Sequence, residues 1–259
     1  YTLWHTLSLH DALPIYHKGI VASDFWGNRV IRVEKIRFEN MARGIYTSYE
    51  STGADTVLVR NCEFYANNKG IGLIGDGGVA EIVNCSFEHM ARDGVHLTAH
   101  WQSYLLIEDC TFSLWDHHTW PQKHLGFFGV RNAHIRDCTM LEGVSAISLS
   151  NGTTSYVERC TFDGQSQLAI YASLAGTISV NRSRFVNQRE VTYSEVLSNN
   201  VTFTGCAFED ISDVAFRLAY LGGLTVNDCD LSGGSRGIVW CKDIINCTEV
   251  RTVDMTGNY

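Results

Sequence analysis

Val57-Leu-Val-Arg-Asn-Cys-Glu-Phe64 returns as Ala80-Glu-Ile-Val-Asn-Cys-Ser-Phe87, then as Leu105-Leu-Ile-Glu-Asp-Cys-Thr-Phe112, Ala133-His-Ile-Arg-Asp-Cys-Thr-Met140 and Ser155-Tyr-Val-Glu-Arg-Cys-Thr-Phe162. Three further copies are Thr177-Ile-Ser-Val-Asn-Arg-Ser-Arg-Phe185, Val201-Thr-Phe-Thr-Gly-Cys-Ala-Phe208 and Leu224-Thr-Val-Asn-Asp-Cys-Asp-Leu231, and a weaker one, Val33-Glu-Lys-Ile-Arg-Phe38, precedes them all. The repeated position is Cys62, Cys85, Cys110, Cys138, Cys160, Ser183, Cys206 and Cys229, in steps of 23, 25, 28, 22, 23, 23 and 23 residues. A period of this size marks stacked units, each too small to bury its apolar face without its neighbours.

Inside each unit the apolar residues alternate twice, at five and three before the cysteine, then at the cysteine and two after it. Alternation of period two is strand geometry. The parity slips between the two runs, so the chain must bend there. The bend falls at Asn61, Asn84, Asp109, Asp137 or Asp228, residue types that tolerate the left-handed conformation. A third strand follows a short polar turn in Gly70-Ile-Gly-Leu73, Gly94-Val-His-Leu97, Leu125-Gly-Phe127, Ala146-Ile-Ser-Leu149, Ala215-Phe-Arg-Leu218 and Gly237-Ile-Val-Trp240. Three strands per coil, stacked in register, predict an all-β, single-stranded right-handed parallel β-helix: a solenoid of about nine rungs. Leucine-rich repeats share the first strand pattern but need a helix or extended segment on the return path. The glycine-led alternation in the third segment favours a strand there.

The Asn/Asp-Cys-x-Phe and Gly-Ile-x-Leu pairs, between about Val30 and Trp240, resemble the right-handed β-helix repeats of the pectate-lyase-like superfamily. That resemblance implies a carbohydrate-active protein that acts on or binds an extracellular polysaccharide by lyase, epimerase or glycoside hydrolase chemistry. It also implies an extracellular or periplasmic location. The other reading is a non-catalytic β-helix, an adhesive or binding module, or a fragment of a larger surface protein. The paired aspartates and arginine signature of pectate lyases and polygalacturonases have no counterpart at matching positions, so the resemblance carries the scaffold and leaves the reaction open.

Thr6-Leu-Ser-Leu-His-Asp-Ala-Leu-Pro-Ile15 matches one reading frame of a common sequencing-library adapter. Residues 1–15 are therefore read as non-native and residues 16–259 as one β-helix domain, truncated at its N-terminus. The formal net charge of −8 becomes −7 when Asp11 is set aside. A mildly acidic chain lacks the electrostatic footprint of a nucleic-acid binder. No apolar run approaches the ~20 residues of a membrane span. Seven of the nine cysteines share the rung position. Strands ~4.8 Å apart set their Cβ atoms beyond the ~3.8 Å of a disulfide, so free, buried thiols are expected. Cys241 and Cys247 lie off this series, and pairing or capping are both open to them. No Cys-x-x-Cys pair suggests a metal. Gly75-Asp-Gly-Gly78 is a lone echo of a calcium-binding nonapeptide, so no cofactor is expected and calcium has no support. The sequons at Asn84 and Asn151 are read as turn chemistry.

Because stacked side chains fill the core, function is expected on outward side chains or in loops between rungs. Five of the eight histidines outside residues 1–15 fall between His96 and His124, within the two longest steps, together with Trp101, Trp115 and Trp120. His96, between inward Val95 and Leu97, points outward, in or near a column with Tyr46, Gly72, Gly126, Ser148, Tyr171 and Arg217. Flanking glycines would leave room for a sugar ring, which aromatic walls suit. For elimination or epimerisation His96 is the candidate base, Arg92 the carboxylate partner, and His124 or Tyr171 the proton donor. Asp93, His100, Trp101, Trp115, Asp116, His118, Trp120 and Arg217 are candidate substrate-binding residues. Asp93 and Asp116 are the one carboxylate pair to nominate for a hydrolase. The plainer alternatives are a solvated surface histidine at His96 and an insertion that covers its own apolar surface.

Overall fold

The computed structural model describes residues 2–3, 18–22, 30–47, 56–76, 78–100, 104–114, 123–196, 198–218, 221–231, 239–241 and 252–254. Every named strand pairs in parallel with the equivalent strand one rung away, giving three sheets of 11, 8 and 10 strands, and no helix occurs among the described residues. The chain visits the sheets in the same order on each turn, for example through Val79–Val83, Ser86–Met90 and Asp93–His100. Eight complete turns are present among the described residues, close to the nine expected. Thr2–Leu3 also stacks, in register with Arg32 and Val33.

The bends lie where the parity slip puts them. Asn61, Asn84, Asp109, Asp137 and Asp228 all have φ between 52° and 55°. Lys35, Arg159 and Arg182 take the same conformation, although their residue types have no intrinsic preference for it. The backbone explains this. The N–H of the bend residues from Lys35 to Arg182 still donates to the next rung, as from Asn84 to Glu108 O at 3.0 Å and from Arg159 to Asn181 O at 3.0 Å. Stacking thus holds the conformation even at less tolerant residues. Asn84→Val should accordingly be about 1–2 kcal/mol less stable than Asn84→Gly in urea unfolding, and equal midpoints would contradict this account.

After the bend, the thiols at the seven described positions are free and buried. They do more than fill space. Cys110 Sγ donates to Glu108 O at 3.2 Å and reaches Ile82 O on the preceding rung at 3.6 Å. Cys138 and Cys160 repeat the arrangement. Ser183 fits because its hydroxyl makes the same bond, to Asn181 O at 3.0 Å, and accepts from Cys160 N at 3.1 Å. Ile36 holds this position in the weaker first copy. The neighbouring Cys138 thiol and burial both push the Cys160 thiol up, so it remains protonated.

Two residues further on, the phenylalanine rings stack along the axis. Centroids are 4.9 Å apart for Phe38 and Phe64, 4.6 Å for Phe64 and Phe87, and 4.7 Å for Phe87 and Phe112. Met140 interrupts the column, which resumes through Phe162, Phe185 and Phe208. At the turn into the third sheet the interior is polar: Asn67, Gln165 and Gln188 are buried, with Gln188 Nε2 donating to Gln165 Oε1 at 2.7 Å. Gly70 enters the third sheet where a Cβ would stand 2.6 Å from Gly94 O and 2.7 Å from the Phe87 ring. A side chain at that point would drive the rungs apart.

Candidate functional site

The outer face of the third sheet carries one continuous column. Register pairs Tyr46 with Gly72, Gly72 with His96, His96 with Gly126, Gly126 with Ser148, Ser148 with Tyr171, Tyr171 with Tyr193 and Tyr193 with Arg217. Every member anticipated from the sequence lies in this column, and Tyr193 joins it. A second column begins each strand, pairing Arg43 with Lys69, Lys69 with Asp93, Asp93 with Lys123 and Lys123 with Ser145.

Around His96 these columns converge. Asp93 is buried and pairs with Lys69 Nζ at 3.0 Å. His96 Nδ1 lies 3.5 Å from Asp93 Oδ2 but makes no hydrogen bond, while Nε2 is 3.3 Å from Thr98 Oγ1. Burial pushes the imidazole down to about 4, Lys69, Lys123 and Arg92 adding to the shift and Asp93 opposing it. His96 is therefore neutral at neutral pH. The room expected above it is already used, since a Cβ at Gly126 would meet His96 Nδ1 and Lys123 Cδ, each at 3.3 Å.

The open space lies further along the same face. A cavity of about 560 Å³ is lined by Lys123, Ser145, Ser148, Gln167, Leu168, Tyr171, Arg189, Glu190, Tyr193 and Arg217. Tyr171 and Tyr193 form its aromatic wall, with ring centroids 6.1 Å apart. Arg217 pairs with Glu190 at 2.6 Å and with Asp213 at 3.5 Å. Burial pushes the Glu190 carboxyl up, against the pull of Arg217 and Arg189. Lys123 Nζ donates to Ser148 Oγ at 3.3 Å. Burial pushes the Lys123 ammonium down, Asp93 opposing and Lys69 and Arg92 adding.

His124 does not belong to this face. It is fully buried, its Nε2 donates to Glu142 O at 3.0 Å, and its ring lies against Phe112 with centroids 6.0 Å apart. Period two, read backwards from inward Leu125, would have turned it outward. At the start of the strand Lys123–Phe128 two successive residues, His124 and Leu125, are both buried, so the alternation does not hold there. His124 is therefore withdrawn as a proton donor. Tyr171 faces the groove, but stands three strands from His96, ~14 Å at the usual spacing, so the two cannot act on one sugar ring. Asp93 is an internal counter-ion rather than a substrate contact. Arg92 is exposed in the turn before Asp93. Arg217 lines the cavity. His100 extends the strand Asp93–His100, its backbone in register with Asp76. Trp101, Trp115, Asp116, His118 and Trp120 lie outside the described residues, as does Cys247.

Lys69, Lys123, Glu190 and Tyr193 escaped the sequence reading. Lys69 and Lys123 precede the inward residues Gly70 and His124, so alternation counted from the next apolar pair skips them. Aligning Arg43-Gly-Ile45, Lys69-Gly-Ile71, Asp93-Gly-Val95 and Lys123-His-Leu125 would have shown their column. Tyr193 lies in a strand whose inward positions include buried Thr192, so the apolar pattern is missing there.

The stacked coil defines a right-handed parallel β-solenoid. Residues 19–185 and 122–249 match the family model described as a right handed beta helix region, and the chain belongs to that family. No curated protein matches the chain. Among solved structures it is similar to the tailspike protein of the Acinetobacter phage vB_ApiP_P1, at 9% identity over 93% of this chain and with a TM-score of 0.38. The chain spans 54% of that protein's length.

Proposed function

We propose that the protein binds a polysaccharide bearing carboxylates, laid along the outer column from Ser148 to Arg217. The observation that carries this reading is the charge and shape of the cavity. Its charged lining residues are Lys123, Arg189, Arg217 and Glu190, three cations to one anion, in a chain whose formal net charge is −8. Between the cations stand Tyr171 and Tyr193, whose faces suit the C–H surface of a sugar ring. Affinity electrophoresis and calorimetry with uronate-containing and neutral polymers test it. Tyr193→Ala should weaken binding of the acidic polymer about tenfold or more, as removal of a central aromatic anchor does. Added salt should weaken it further. Equal binding of a neutral polymer, or unchanged affinity in Tyr193→Ala, would overturn the reading.

A finer reading, elimination or epimerisation at His96, draws support from its neutral imidazole with Lys69, Lys123 and Arg92 nearby. A base takes the proton beside the carboxylate while cations hold the developing charge. The test is the absorbance of unsaturated product from uronate polymers. Unchanged activity in His96→Ala would remove the assignment.

A further inference from the structure

At the edge of the groove proposed to hold the polysaccharide, Ser148 and Lys123 also form a side-chain pair that binding alone does not require. Ser148 is buried except where it borders the cavity, and Lys123 Nζ lies 3.3 Å from its Oγ. The described contacts of Lys123 include no carboxylate within ion-pair distance, unlike Lys69, whose ammonium holds Asp93 at 3.0 Å. The two lysines are in register on either side of Asp93, yet only Lys69 takes the carboxylate. The Lys123 side chain instead crosses over Gly126, where the missing Cβ leaves it a path. It ends on a hydroxyl at the cavity wall.

We propose that Ser148 and Lys123 are a nucleophile and its base, and that the groove cleaves acyl esters carried on the sugar hydroxyls of the chain it binds. A serine hydroxyl is a weak nucleophile until an adjacent base takes its proton, and an amine in hydrogen-bond reach does so on several unrelated folds. Ser148 Oγ adds to the acyl carbon and its proton passes to the Lys123 amine. The tetrahedral intermediate expels the sugar oxygen, which takes that proton from Lys123 and leaves as the free hydroxyl. Water, deprotonated by Lys123, then attacks the acyl-serine, releasing the carboxylic acid and restoring Ser148. No oxidant, reductant or metal enters the balance.

The pair needs Lys123 as the free amine. Burial favours that form, and Lys69 on Lys69–Asp76 and Arg92 in the adjoining turn favour it too, while Asp93 opposes. His96 is neutral beside it, and Glu190 and Tyr171 face the same cavity from the following strands. Elimination at His96 would instead use Lys123 as a charged ammonium. The two activities therefore call for opposite protonation states, and ester cleavage should rise with pH where elimination falls.

The test is covalent, so it is separable from carbohydrate binding. The full chain is treated with a fluorophosphonate across pH 7 to 10, and the adduct is located by mass spectrometry. Hydrolysis of p-nitrophenyl acetate and acetate release from an O-acetylated polysaccharide are measured in parallel. One phosphonyl group is expected on Ser148, with none in Ser148→Ala. Lys123→Arg keeps a long hydrogen-bond donor but cannot shed its proton, and should slow labelling about 100-fold or more, the usual share of a general base. Absence of an adduct on the parent chain, an adduct on another residue, or parent-rate labelling in Lys123→Arg would each overturn the proposal. Loss of polymer binding with labelling intact would count against the binding reading alone.

Discussion

Phe87→Ala is expected to lower the stability of the solenoid by about 3–5 kcal/mol, the range for emptying a buried aromatic site. Phe87 is fully buried and stacked on both sides, 4.6 Å from Phe64 and 4.7 Å from Phe112. Its ring also covers the entry of the third sheet, 2.7 Å from where a Cβ on Gly70 would stand. The strands are pinned by their hydrogen-bonded neighbours, so they cannot close on the void, and the cavity remains. In a solenoid each rung touches only the next, so the loss stays local. Hydrogen exchange should show amides of Glu63–Tyr65, Ser86–Met90 and Thr111–Leu114 losing protection first, while Thr161–Asp163 stays protected. Urea unfolding supplies the magnitude. A loss under about 1 kcal/mol, or uniform deprotection along the axis, would show that the ring column does not hold the rungs together.

The fold was legible because its determinants repeat. A residue such as Asn84 or Cys110 appears in equivalent form on nearly every turn, so its role can be read from spacing without knowing its neighbours. The alternation around Cys62 to Phe64 encodes both strands and the bend between them, and φ values of 52° to 55° at the five anticipated bend residues agree. The candidate site does not repeat in this way. Ser148, Tyr171 and Arg217 hold one outer column with three different chemistries, and nothing in their spacing tells a cavity wall from an ordinary surface. His124 shows the limit from the other direction. Its residue type and position among other histidines suggested function, but it sits at the strand entry, where two successive residues are buried and period two fails. The charge cluster of Lys69, Asp93 and Lys123 was hidden by the same break in alternation at the strand entry. Register, rather than composition, decides which of these groups meet.

His124 should make the protein lose stability as pH falls from about 6.5 to 4. Burial pushes its imidazole down to about 4, the bond to Glu142 O opposing, against an ordinary value near 6.5. Below 6.5 the unfolded chain binds a proton that the folded chain refuses, so protonation favours unfolding. The contribution is complete above the unfolded value and disappears as pH drops through the folded one. At 1.36 kcal/mol per pKa unit, a displacement of this size is worth about 3 kcal/mol between pH 7 and pH 4. His96 acts in the same direction and over the same window, by a smaller amount because it is partly exposed. The carboxylates of Asp137 and Glu209, held low by Arg159 and Arg184, lose their pairs only at still lower pH. Glu190, pushed up by burial, gains stability as pH falls and so works against this loss, which between 6.5 and 4 belongs to histidine. Urea midpoints taken across that window should fall steeply for the parent chain and clearly less steeply for His124→Leu, whose side chain suits the pocket beside Phe112 and which keeps only the smaller His96 contribution. Parallel slopes for the two proteins would mean that the folded chain accommodates a charged His124, which its buried, unpartnered Nδ1 gives no means to do.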